Sequence, residues 1–376
     1  MKRKSPDDPE RGEVDLKRND RSLYSHASRQ TSHDGSDQGT SPAYSTATPN
    51  YEKPQTPLKK KKHNFTGVSK LAKYKLESKL GEGTFGEVHK GTNKETGEIV
   101  ALKRILMHHE KEGIPITAVR EIKILKQLNH PNVVPLTDMA IFRKKDESGR
   151  REQTEVYMVF PYMDHDLAGL LENPSANLSL SHIKTYFQQL LKGTAYLHHN
   201  KILHRDIKAA NLLIDNKGIL QIADFGLARG IEEDGRDYTA CVVTRWYRPP
   251  ELLLGERKYT SAIDMWGVGC ILGEILKGRP ILQGTDDMDQ LKRIFSLVGS
   301  PTEETMPGWK DLPDANKVHF DHYKGRMHID FDDCDPLAVD LLSKILVLDP
   351  KKRLTAMDAL DHDFFFTEPA PARPEE

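Results

Sequence analysis

Asp206, Lys208 and Asn211 stand in the run His204-Arg205-Asp206-Ile207-Lys208-Ala209-Ala210-Asn211, and Asp224-Phe225-Gly226 follows a short stretch later. Two carboxylates, one amide and one lysine on loops flanking a short strand pair can hold a magnesium-bound nucleotide and orient a hydroxyl for phosphoryl transfer. In that chemistry Asp206 is the hydroxyl-orienting base, and Lys208 steadies the charge of the moving phosphoryl group. Asn211 and Asp224 are oxygen donors suited to magnesium, which keeps waters and takes few protein ligands. A lone Asp or Asn is more often a capping or turn residue. The joint register, with Asn211 closing the run that Asp206 opens, carries the signal.

A second element must hold the nucleotide. Leu80-Gly81-Glu82-Gly83-Thr84-Phe85-Gly86-Glu87-Val88 contains GxGxxG. A dinucleotide site needs a helix after the glycines. Here Glu87 to Gly91 continues as strand, so the glycines sit on a β-hairpin whose bare backbone can lie over phosphates. A plain glycine-rich turn is the competing reading, and Lys103 in Val100-Ala101-Leu102-Lys103 argues against it. A lysine in mid-sheet is costly to bury without a partner. A phosphate plus a carboxylate would satisfy it, and Glu121 on the following helix is the nearest candidate.

The elements that position these residues follow from periodicity. Tyr74–Leu80, Glu87–Asn93 and Ile99–Ile105 alternate apolar and polar residues and predict an antiparallel meander. Val119, Ile122, Leu125 and Leu128 predict a helix over Thr117–Leu128. Arg143–Gln153 is charged and predicts an exposed hairpin loop before a strand at Val156–Phe160. Beyond Asp164 the pattern is helical, at Leu180–His198, Thr260–Lys277, Asp287–Leu297 and finally Met357–Phe365. The expected fold class is α+β: a small antiparallel-β lobe carrying one helix, about 74–163, then a larger, mainly α lobe, about 164–366.

Composition bounds the rest. The 376 residues carry a net charge of −1, which gives no global drive toward nucleic acid or membrane. Val268–Leu276 is the nearest approach to a membrane-length apolar run, and Glu274 interrupts it. Cys241, Cys270 and Cys334 are scattered and odd in number, which suits a reducing compartment. Residues 1 to about 65 are rich in Ser, Pro and charge and read as a disordered tail. That tail ends in Lys59-Lys60-Lys61-Lys62, either simply solvated or a nuclear import signal. Residues 367–376 form a short Pro/Glu tail.

From about Tyr74 to Phe366 the chain resembles a eukaryotic protein kinase. The resemblance rests on the Gly loop, Lys103, Glu121, His-Arg-Asp206, Asp224-Phe-Gly and Pro249-Pro250-Glu251. Asp264 resembles the aspartate that holds the catalytic loop, and Arg353 the arginine that pairs with Glu251. Pro115-Ile116-Thr117-Ala118-Val119-Arg120-Glu121 resembles the helix by which cyclin-dependent kinases bind a cyclin. Its variant resembles the transcription-elongation branch, of the P-TEFb and fungal Bur kinase type. So do His165–Leu171, Lys208–Asn211 and Thr244–Gly255.

This likeness implies ATP and Mg2+ as cofactors and a T-type or Bur-type cyclin as partner. Ile116 and Val119, three apart and sharing one face, would make the contact; packing on the lobe's own sheet is the other use of that face. It also implies Ser/Thr-Pro substrates, with Val242, Val243 and Arg248 selecting the proline. The RNA polymerase II C-terminal domain and elongation factors are the expected targets, in the nucleus. An adenine pocket is implied between Leu80, Val88 and Ala101 above and Leu213 below. Phe160 would guard its back, Pro161–Asp164 would form the hinge, and Asp166 would reach the ribose.

Thr239 matches the activation-loop position that a separate activating kinase phosphorylates, with Arg120, Arg205 and Arg229 as its phosphate pocket. Phe85 replaces the tyrosine of cell-cycle members, which removes that inhibitory site and leaves Thr84. The alternatives are a cell-cycle or splicing-linked cyclin-dependent kinase, a mitogen-activated kinase, or an inactive scaffold of the same fold. No membrane or direct nucleic-acid contact is expected.

Overall fold

Alternation along the N-terminal strands sorts side chains between two cores. Tyr157 and Val159 join Val100, Leu102, Ala140, Leu71 and Tyr74 on one face of a sheet. Val156 and Met158 turn to the other face, where Met139 and Ile105 meet Ile124 and Leu125 of the first helix. The structure, a computed structural model, describes residues 65–83, 86–106, 113–145, 152–231, 238 and 242–373. Thr84, Phe85, Thr239, Cys241, the lysine run and the rest of the N-terminal tail lie outside them.

The sheet has six strands: β1 (Val68–Lys70), β2 (Tyr74–Gly83), β3 (Gly86–Asn93), β4 (Ile99–Arg104), β5 (Asp138–Lys145) and β6 (Glu152–Pro161). Their order is β1-β5-β6-β4-β3-β2. All neighbours are antiparallel except β1 and β5. Helix α1 (Ile116–Leu125) buries Ile124 and Leu125 in the main core.

The rest is mainly helical: α2 (Leu167–Glu172), α3 (Leu180–His199), α4 (Pro250–Leu253), α5 (Ala262–Lys277), α6 (Asp287–Val298), α7 (Met327–Asp330), α8 (Pro336–Ile345) and α9 (Ala356–Leu360). Apolar nearly all round, α5 is buried from Ala262 to Ile275 and forms the axis of the lobe. Amphipathic α3 opens with a capping box between Ser179 and His182 and buries Phe187, Leu190, Leu191 and Leu197. Short strands carry the site loops: β7 (His165–Asp166), β8 (Ile202–Leu203), β9 (Leu212–Ile214), β10 (Leu220–Ile222) and β11 (Arg229–Gly230). They pair as β10-β9-β7 and β11-β8.

Two elements differ from the sequence expectation. The charged stretch from Arg143 is not loop throughout, because Arg143, Lys144 and Lys145 pair with Thr154, Gln153 and Glu152 as the ends of β5 and β6. Backbone pairing carried up from Asp138 extends the ladder through residues whose composition signals a loop. The final helix is shorter than Met357–Phe365. It stops at Leu360, and a separate turn, Asp363–Phe365, starts where the His362 ring accepts a bond from the Phe364 N–H. The Pro/Glu tail is tied down as far as Ala372. Lys184 donates to the Thr367 carbonyl at 2.6 Å, and Thr185 Oγ1 donates to the Ala372 carbonyl at 2.7 Å. Strand β1 and helix α8 were not anticipated.

Candidate active site

The loop after β8 is held from beneath by one buried carboxylate. Asp264 of α5 accepts from the His204 N–H at 2.9 Å and the Arg205 N–H at 2.8 Å, and bonds the His198 ring at 3.0 Å. Burial alone would raise its pKa, but these bonds outweigh burial and hold the carboxyl below the usual range. Arg205 is thereby kept at φ 66°, a left-handed conformation that an arginine rarely adopts unaided. The loop also lies directly on α5. A Cβ at Gly267 would stand 3.1 Å from both the Ile207 carbonyl oxygen and its Cβ, closer than most side chains come, so the glycine eases the approach.

On this base Asp206 is enclosed by donors. Its Oδ2 accepts from Lys208 Nζ at 2.8 Å and Asn211 Nδ2 at 3.0 Å, and its Oδ1 from Thr244 Oγ1 at 2.8 Å. Asn211 also donates to the Asp206 carbonyl at 2.8 Å. Asp224, left-handed at φ 58°, faces the same cleft. His204 links the two loops: its ring bonds the Ala223 carbonyl at 2.9 Å and meets the Phe225 ring edge-on at 4.9 Å.

From the sheet, Lys103 Nζ reaches Glu121 Oε1 at 2.9 Å and Asp224 Oδ1 at 3.0 Å. Burial pulls the ammonium down, but the two carboxylates outweigh it and hold Lys103 above the ordinary lysine range. Burial pushes Asp224 up, and Lys103 outweighs that and holds it below the ordinary aspartate range. Glu121 stays above the ordinary glutamate range because burial dominates there.

The cleft between sheet and helices has a volume of about 950 Å³. Leu80, Gly81, Glu82, Gly86, Val88, Ala101, Phe160, Asp166 and Leu213 line it, together with Lys103, Glu121, Asp206, Lys208, Asn211 and Asp224. Pro161, Tyr162 and Met163 also line it. Asp166 also caps α2, accepting from the Gly169 N–H at 2.9 Å. One predicted residue stands apart: the Glu87 carboxylate is engaged by Lys79 at 3.1 Å and Arg104 at 3.7 Å.

A buried ammonium shared by two carboxylates, beside an aspartate ringed by donors, now has an independent comparison. The protein kinase domain model matches residues 74–365. The chain belongs to the protein kinase family. Among curated relatives, the kinase is 58% identical over 322 residues to the serine/threonine-protein kinase bur1 of Emericella nidulans, covering 82% of this chain and 59% of that protein. It is 55% identical over 329 residues to the probable cyclin-dependent kinase 9 of Schizosaccharomyces pombe, covering 84% and 55%. The chain thus spans less than three-fifths of the length of these relatives. A chain in the crystal structure of the yeast RNA Pol II CTD kinase CTDK-1 complex matches with TM-score 0.71 and 40% identity, over 81% of this chain and 96% of that one.

Protein kinases use ATP and a divalent metal ion, and the residues present fit both. Among the described residues no cluster of three or more His, Cys, Asp or Glu could hold a metal by itself. One carboxylate, Asp224, and one amide, Asn211, suit a hard cation that completes its shell with phosphate oxygens and water.

The predicted phosphate pocket is only partly assembled among the described contacts. Arg205 donates to Tyr259 Oη at 3.0 Å, Tyr259 stacks on Tyr238 at 4.8 Å, and the Arg229 guanidinium lies 5.2 Å over the Tyr238 ring. Arg120 is exposed, and no described contact joins it to that group. On α1, Ile124 and Leu125 are buried, whereas Ile116 is 70% exposed and Val119 44%. The face carrying those two residues therefore does not pack on the kinase's own sheet.

Sequence reading missed His198 beneath the catalytic loop, since nothing in a helix-terminal histidine announces an aspartate on another helix. Glu274 did leave a signal, as the acid interrupting an apolar run. The Tyr247 hydroxyl donates to it at 2.7 Å, and burial raises its pKa to about 7. The unfolded chain ionises this acid near 4.5, so the native state binds the proton more tightly. Stability should fall as pH rises from that value toward 7 and level off above it, by roughly 3 kcal/mol at most. Thermal unfolding of wild type and Glu274→Gln from pH 5 to 8 checks this. The variant should gain on wild type as pH rises, and a pH-independent difference would contradict the assignment.

Proposed function

We propose that this chain is the catalytic part of a cyclin-dependent serine/threonine kinase. It transfers the γ-phosphoryl group of magnesium-bound ATP to Ser-Pro and Thr-Pro sites. Asp206 orients the acceptor hydroxyl, Thr244 and Asn211 hold that carboxylate in place, and Lys208 balances the charge moving to the acceptor. Lys103, aimed by Glu121, takes the α- and β-phosphates. Gly81, Glu82 and Gly86, which line the cleft, form the cover over them. Asp224 and Asn211 would hold the magnesium ion, which would supply screening of the phosphate charge.

The observation that carries the substrate class is Val243. It sits at φ 68°, a strained conformation for a β-branched residue. Its carbonyl is already taken by Arg248, through Nε at 3.2 Å and Nη2 at 3.0 Å. An N–H just after the phosphorylated residue finds no acceptor there, and proline has no N–H to satisfy. Paired peptides differing only in Pro or Ala after the acceptor should differ by about 10- to 100-fold in kcat/KM, the cost of one unpaired buried donor. Equal rates would refute the assignment.

Exposed Ile116 and Val119 on the helix that carries Glu121 support a cyclin as partner, since a protein bound there would hold Glu121 toward Lys103. Phosphorylation of Thr239 by an activating kinase, read by Arg120, Arg205 and Arg229, completes the regulation. The relatives named Bur1 and cyclin-dependent kinase 9, and the likeness to the RNA Pol II CTD kinase complex, support the polymerase C-terminal domain as substrate. Elongation factors are further targets, and the site of action is the nucleus.

A further inference from the structure

Helix α1 carries Glu121, yet its own start does little to fix it. Pro115 precedes it without a side-chain cap. Its other end is held from two sides. In the loop that follows, the Asn129 N–H donates to Tyr196 Oη of α3 at 2.9 Å, and His130 stacks on Tyr196 at 4.8 Å. On the other side stands a segment that precedes the meander. The Phe65 ring packs against the main core, and Lys126, the residue that ends α1, places its ammonium 4.7 Å over that ring.

The same segment is bound to the sheet. The Thr66 N–H donates to the Thr137 carbonyl at 2.8 Å, and Gly67 accepts from the Met139 N–H at 3.1 Å. Val68, Ser69 and Lys70 then pair in parallel with Met139, Ala140 and Ile141 of β5. Gly67 takes φ 120° to turn the chain from the ring contact into the strand, a conformation denied to other residues without strain. One short segment therefore ties the sheet edge to the end of α1.

We propose that Phe65–Lys70 is a strap that positions α1 and, through it, the Lys103–Glu121 pair. Phe65 and Lys126 are its positioning residues. The inference rests on the phosphoryl-transfer reading of the site. Glu121 lies about 7 Å along the helix axis from Lys126, so tilt at the anchored end moves its carboxylate. Small misplacements of a phosphate-binding lysine are costly.

With the full chain and its cyclin, Phe65→Ala should raise KM for ATP about fivefold, the size of one cation–π contact on a half-buried ring. KM for a Ser-Pro peptide and the unfolding midpoint should hold, and Phe65→Tyr should restore the wild-type value. Lys126→Met should reproduce the effect, and the double variant should be no worse than either single one. Gly67→Ala strains the same segment by an independent route and should move KM for ATP in the same direction.

Unchanged KM for ATP in Phe65→Ala and Gly67→Ala, or a loss falling only on peptide KM or unfolding midpoint, overturns the strap. MgATP affinity measured by calorimetry separates the two readings. If wild type transfers no phosphate to the peptide, the functional reading fails. A weaker MgATP affinity in Phe65→Ala then still supports the strap, and an equal affinity overturns it.

Discussion

Asp206→Asn is expected to lower kcat by about 10²- to 10⁴-fold while KM for ATP changes little. The amide can still accept from Thr244 Oγ1, which donates to Asp206 at 2.8 Å, so the loop keeps its shape. What it loses is the charge and the second acceptor. An Nδ2 group would face Lys208 Nζ and Asn211 Nδ2, donors now at 2.8 Å and 3.0 Å from the Asp206 Oδ2 position. The acceptor hydroxyl then has no base and no fixed partner. Steady-state rates on a Ser-Pro peptide, with thermal midpoints measured in parallel, check this. A variant that folds and retains more than about a hundredth of wild-type turnover would remove Asp206 from the reaction, by the same 10²-fold lower bound.

Arg353→Ala should cost about 3–5 kcal/mol of stability, the usual penalty for leaving one member of a buried ion pair alone. Arg353 and Glu251 are 5% and 3% exposed. They meet in a two-pronged contact, Nη1 to Oε1 at 3.0 Å and Nη2 to Oε2 at 3.1 Å. The guanidinium also serves the Val347 and Ala262 carbonyls and lies 5.0 Å over the Trp266 ring. Its removal strands a carboxylate and takes a donor from two carbonyls at once. Urea unfolding measures the loss. Removing both charges, as in Arg353→Leu with Glu251→Leu, should recover part of it, because the stranded charge goes too. A loss for Arg353→Ala within about 1 kcal/mol, the range of an exposed pair, would show the contact to be dispensable.

Much of this site was readable along the chain, for reasons of range. Strand alternation, the helical spacing of Val119, Ile122 and Leu125, and the offsets within His204–Asn211 all operate over a few residues. The pairing of Lys103 with Glu121, 18 residues apart, was read instead from the cost of burying a lysine without a partner. Where the reading fell short, the deciding partner was distant. The charged residues 143–145 were assigned to a loop by composition, but pairing with β6 carries them into the sheet. Glu87 was grouped with the glycines beside it, yet Lys79 and Arg104 claim its carboxylate. Strand β1 is three residues with no alternation to detect, and it exists because β5 offers an open edge.

The sequence alone set out the candidate chemistry. It placed Asp206, Lys208, Asn211, Asp224 and a glycine hairpin in the order that the phosphoryl-transfer reading requires. Tertiary structure decided how those groups are tuned. Asp264 holds the catalytic loop from 60 residues away, and Lys103 meets Asp224 across 121. Arg248 occupies the Val243 carbonyl only because a left-handed turn points it there. Local propensity carries no information about such pairs. They form when separate elements pack on α5 and on the sheet, where burial leaves each polar group only the partner that the fold supplies.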